Sequence, residues 1–128
     1  MRAFVLRAAA ILLLASATAC TSLPPARPAT NVSAIAGKWG GTITSAGRPN
    51  SATTTIASDG TYETIVPAFS NPGPRFVGKV WVQDGKYRFK SDTTGRTGTM
   101  ILHEGEGRRV LVTQTDDGSA SGEATPAK

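Results

Sequence analysis

Apolar residues recur in three different ways along the chain. Ala8 to Ala15 is an apolar run with no polar interruption, preceded by Arg2 and Arg7 and followed by Ala17-Thr18-Ala19. Thr21 to Ala36, TSLPPARPATNVSAIA, has neither a helical nor a strand period. From Lys38 onward apolar and polar side chains alternate in short runs, the signature of half-buried strands. Those runs are Lys38–Thr44, Ala52–Ser58, Thr61–Val66, Phe76–Gln83, Lys86–Ser91, Thr99–His103 and Arg108–Thr115. In the first, Trp39, Gly41 and Ile43 share a face; in the fifth, Tyr87 and Phe89 oppose Lys86, Arg88 and Lys90. Asp59-Gly60, Asp84-Gly85 and the Gly105-Glu106-Gly107 triplet separate neighbouring runs, and Asp-Gly between alternating runs is a strong hairpin signal.

The fold expected is therefore all-β, an antiparallel up-and-down meander of about seven strands over residues 37–115. No stretch offers a crossover helix. A sheet with one apolar face and two unpaired edges must close or curl, so the expectation is a small barrel or curved half-barrel, with an open, dimerising sheet as the competitor. SAGRPN, the proline-bounded loop PAFSNPGPR and the stretch DTTGRTG read as turns and loops. Residues 20–36, rich in Pro, Ala and Thr, read as a disordered tether. Residues 116–128 read as a disordered polar tail.

The first 19 residues change the picture of where the domain resides. A basic start, a short apolar run and a small-residue exit have the layout of an export signal, helical in its apolar part and much shorter than the roughly 20 residues that span a bilayer. Ala17-Thr18-Ala19-Cys20 resembles the lipobox of bacterial lipoproteins. That resemblance implies removal of residues 1–19 as a lipoprotein signal peptide, and attachment of a thioether-linked diacylglycerol and an amino-terminal acyl chain such as palmitate at Cys20. It places the exported chain on the cell envelope, at the outer membrane where an organism has two. Two or more chains, at about 0.8 kcal/mol per buried methylene, hold stably where one is marginal.

Removing residues 1–19 from 128 leaves 109, enough for one small domain. Cys20 is the only cysteine, so no disulfide is available and packing alone must hold the fold. The 14 basic residues lose Arg2 and Arg7, leaving 12 against 9 acidic ones. So small an excess gives no reason to expect a nucleic-acid partner.

Gly37-Lys38-Trp39 resembles the G-x-W start of lipocalin-like barrels, and a similar start occurs in small periplasmic protease-inhibitor barrels. The resemblance implies that Trp39 plugs one barrel end against an Arg near the last strand, for which Arg108 and Arg109 are the candidates. Trp39, Tyr87, Phe89 and Met100 are together large enough to fill a seven-stranded interior. His103, with Glu104 and Glu106, sits in a glycine-rich turn and reads as a solvated hairpin tip instead of a metal site. No Ser, His and Asp can be matched by motif, so neither catalysis, metal nor cofactor is expected. If Val80 and Val82 point inward, Trp81 points out beside Lys79 and Arg88, making these three, with Phe69 of the proline-bounded loop, the partner-contact candidates. The functional expectation is a membrane-anchored, non-catalytic binding or interaction module, its partner an envelope protein or anionic glycolipid. The alternatives are a protease inhibitor working through the Phe69 loop and a carrier of a small hydrophobic ligand.

Overall fold

Two-residue turns set the meander. Ala46-Gly47, Asp84-Gly85 and Glu106-Gly107 all have positive φ (53° and 75°, 52° and 71°, 54° and 74°), the type I′ pattern whose twist matches that of paired strands. The computed structural model describes residues 22–71 and 73–128; the signal segment and Cys20 lie outside the described residues. The described residues form nine strands: β1 (Ala26–Arg27), β2 (Gly37–Ser45), β3 (Arg48–Ile56), β4 (Thr61–Ile65), β5 (Arg75–Gln83), β6 (Lys86–Ser91), β7 (Thr97–Gly105), β8 (Arg108–Thr115) and β9 (Ala120–Pro126). Strands β2 to β9 pair in sequence, each antiparallel to the next, and β9 returns to pair with β2 from Trp39↔Pro126 to Ser45↔Ala120. The sheet is thus an up-and-down barrel of eight strands, closed, with β1 added on β7.

The meander and its closure are as the alternation implies, but both flanks are corrected. Residues 120–126, expected within a disordered tail, form the closing strand, because the small residues Ala120, Gly122 and Ala124 face the barrel while Ser121, Glu123 and Thr125 face solvent. That alternation is real but carries no large apolar residue, which hides it from a hydrophobic pattern. The expected tether is not free either. Ala26–Arg27 pairs with Leu102–His103 along the part of β7 that β6 leaves unpaired, and Val32–Ile35 forms a 3₁₀ turn. Asn31 caps that turn, its Oδ1 accepting from the Ala34 N–H at 3.1 Å. Ile35 is fully buried in the barrel core.

The SAGRPN loop shortens to Ala46-Gly47, and β3 starts at Arg48. Pro49 is tolerated within β3 because β4 pairs only with Thr53–Ile56, leaving the Pro49 edge facing no strand on that side.

The eight strands have two distinct ends. At one, Trp39 is 1% exposed and donates from Nε1 to the Ile35 carbonyl at 2.9 Å. The Arg109 guanidinium lies over the indole, 5.1 Å from its centroid, and its Nη2 donates to the Ala34 carbonyl at 2.6 Å. Arg109 Nε lies 2.9 Å from Glu104 Oε2 but off the N–H axis, an ionic contact and not an aligned hydrogen bond. We call this end the sealed pole. Ile56, Val80, Tyr87 and Leu102 pack beneath it, each such side chain worth about 1.5–3 kcal/mol when removed from water.

Candidate functional site

At the other pole the barrel is not filled. Inward positions on β3, β8 and β9 fall from Ile56 and Leu111 to small groups (Ala52, Thr113, Gly122) toward the second pole, and on β2 Gly41 leaves a gap between Trp39 and Ile43. The result is a cavity of about 140 Å³ that opens to solvent at that end. The expectation that Trp39, Tyr87, Phe89 and Met100 fill the interior is corrected: an eighth strand widens the barrel, and Trp39 and Tyr87 are spent on the sealed half.

The floor of the cavity is Tyr62, Phe89, Met100 and Leu111. Tyr62 and Phe89 meet edge to face, with centroids 6.1 Å apart and planes at 88°, the favoured arrangement for ring quadrupoles. Each ring lies over a glycine. A Cβ on Gly78 would come within 2.7 Å of Tyr62 Cε2, and one on Gly98 within 2.4 Å of Phe89 Cε1. A third glycine lets the barrel close: a Cβ on Gly41 would strike the Glu123 carbonyl oxygen of β9 at 2.0 Å. These positions are empty of side chain because rings and strands approach them.

The walls carry hydroxyls. Thr54 and Thr64 share a hydrogen bond of 2.7 Å across β3 and β4, Thr113 and Thr115 line the β8 side, and Ser91 lines the wall from β6. Burial pushes the Tyr62 hydroxyl up to about 12, opposed by a hydrogen bond with Ser91, so the phenol is neutral throughout the physiological range. Phe69 and Phe76 stand edge to face at the mouth, 5.9 Å apart at 85°, and Thr94 and Arg96 of the β6–β7 loop complete the rim. Such a site can remove a small apolar group from water and offer hydroxyls to a polar end. Among the described residues no three His, Cys, Asp or Glu side chains converge.

The structure divides the residues singled out by sequence among four places. Trp39 and Arg109 form the plug, whereas Arg108 is exposed and donates to the Ser22 carbonyl at 3.3 Å. Phe69 belongs to the cavity mouth. Trp81 and Lys79 face outward on β5, as does Arg88 on β6, and Trp81 Nε1 donates to Gln83 Oε1 at 3.0 Å. Arg88 is not a free cation: both its terminal nitrogens bond Asp116, at 2.8 and 2.6 Å, and Nη1 also donates to Thr99 at 2.7 Å. The hydrogen bonds from Arg88, aided by one from Thr97, hold the Asp116 carboxyl far below the usual range. His103 lies 2.9 Å through Nδ1 from the Pro24 carbonyl, which can only accept, so Nδ1 carries the proton. The hairpin tip is thus occupied by the chain's own N-terminal segment. Cys20 lies outside the described residues.

Sequence reasoning missed Tyr62, Thr113 and the other wall residues. Their signal was the same strand alternation, but small inward residues look like weak core until the barrel's width is known. No protein-family model, curated protein or solved structure matches this chain.

Proposed function

We propose that the chain is an exported lipoprotein, anchored through Cys20, whose barrel is a non-catalytic binding module for a small, mainly apolar ligand. The observation that carries the ligand reading is the open-ended cavity of about 140 Å³ with its aromatic floor. Apolar cavities of about that size take a benzene-sized group, so the ligand is a small aromatic or short alkyl group with its polar end among the rim hydroxyls. The Ala17-Thr18-Ala19-Cys20 stretch supports the anchor. A protease inhibitor would present Phe69 to an enzyme cleft; here that ring is turned onto Phe76, which favours the carrier over the inhibitor.

Ligand-observed NMR on the mature chain, with benzyl alcohol, indole and short-chain alcohols as probes, tests this. Binding should be seen for at least one probe and lost in Ala52→Leu, which fills the cavity from β3 while the chain stays folded by circular dichroism. Binding that survives Ala52→Leu, or none from any probe, sinks the ligand reading. The anchor has its own readout: Cys20→Ser should abolish incorporation of a labelled fatty acid.

A further inference from the structure

The segment expected to be a leash is fastened to the barrel along its length. Ser22 O accepts from Arg108 at 3.3 Å, Pro24 O contacts His103, and Pro25 O accepts from the Glu104 N–H at 3.0 Å. Further on, the Ala29 N–H donates to Gly85 O at 2.9 Å, and the Tyr87 hydroxyl donates to Asn31 O at 3.1 Å. All of these partners sit at the sealed pole, where the β5–β6 and β7–β8 turns lie. The segment leaves the barrel at the tip of the β7–β8 hairpin, beside Arg108.

Cys20 is only two residues before Ser22, and two residues span at most about 7 Å. A lipid there holds the bilayer against the sealed pole. The mouth, at the far end of tilted nine-residue strands, stands on the order of 20 Å away. Exposed Arg27, Lys38, Lys86, Arg108 and Lys128 lie at the sealed pole against exposed Asp59, Asp84 and Glu106. At the mouth Asp92, Asp116, Asp117 and Glu63 stand against Arg48, Arg75, Arg88, Lys90 and Arg96, with Arg75 Nε 2.6 Å from Glu63 Oε2. A cationic pole meets an anionic leaflet favourably within a Debye length.

We infer that the anchored barrel rests with its sealed pole on an anionic phospholipid surface and holds its cavity mouth away from the membrane, in one orientation. This rests on the anchoring at Cys20 proposed above. The docked segment acts as a short strut, so the mouth is presented to the aqueous side and its ligand arrives from there, not from the bilayer.

The test uses the mature chain from Cys20, lipidated and reconstituted in vesicles of phosphatidylcholine and phosphatidylglycerol that carry a headgroup energy-transfer acceptor. With Cys20 blocked by lipid, a donor is placed on Ser58→Cys in the β3–β4 turn at the sealed pole, or on Ser70→Cys in the β4–β5 loop at the mouth. Both serines are exposed. Transfer from position 58 should exceed that from position 70 several-fold. Equal transfer from both sites, or the reverse order, overturns the orientation while leaving the anchor intact. Failure of the protein to float with the vesicles, together with an intact mass lacking acyl chains, overturns the anchor and the orientation with it.

Discussion

Single residues at the two poles do opposite work. Trp39 is 1% exposed and held by the Ile35 carbonyl and the Arg109 guanidinium, so Trp39→Ala should cost about 3–5 kcal/mol, read by urea denaturation. Arg109→Met keeps the stem over the indole and removes the charge; its smaller loss, against that of Trp39→Ala, measures how far the plug depends on the cation–π contact. At the mouth, hydrogen bonds from Arg88 depress Asp116 and those from Ser119 hold Asp117 at about 2; at the sealed pole, those from Thr61 lower Asp59 in the β3–β4 turn. Carboxyl groups depressed in the folded state add stability that is complete above their unfolded value near 3.9 and is lost as pH falls through the folded values. Stability should therefore be insensitive to these groups between pH 7 and 5 and decline below about 4. Carboxyl carbon shifts followed by NMR should show Asp116 still ionised at pH 3 and, in Arg88→Gln, titrating at higher pH. A normal Asp116 titration in the unmodified chain would contradict the ion pair. The Trp39 plug was legible from Gly37-Lys38-Trp39, and the choice between Arg108 and Arg109 follows from parity: Arg109 shares the inward face with Leu111, and Arg108 does not.

Strands were legible where large apolar residues mark the inner face, and illegible where small ones do. The alternation predicts Lys86–Ser91 with its observed bounds because Tyr87 and Phe89 stand out against Lys86, Arg88 and Lys90. Ala120–Pro126 was missed because its inner face is Ala120, Gly122 and Ala124. The same smallness makes the cavity, so the features that hid the closing strand also hid the site. Pairing with both β2 and β8 gives β9 a role out of proportion to its apolar content. Truncation after Asp117 should open the barrel, removing amide-exchange protection from β2 and β8 first and lowering the melting temperature by more than ten degrees. Gly41→Val should produce a similar loss from within β2, because its side chain would occupy the space of the Glu123 carbonyl. A Gly41→Val chain as stable as the parent would show that β9 can shift without cost.

The molecule as a whole is polarised. One end is plugged and carries the N-terminal segment; the other is open. The cavity's emptiness was not legible from the sequence, because strand number and shear set the interior volume, and the strand count depended on the one strand without apolar markers. The docking of residues 22–36 was equally hidden, since its bonds run from backbone carbonyls to Arg108, His103, Tyr87 and Arg109, partners 56 to 86 residues distant. Closure between the second strand and the last has a consequence in time. Every other barrel pairing joins strands adjacent in sequence and can form as soon as both have emerged, but β2 must wait for residues 120–126. A chain delivered amino-terminus first, from a ribosome or through a membrane pore, therefore travels as an unsealed ribbon. Its inner rings remain wettable, and its β2 edge open to a chaperone, until the final few residues arrive.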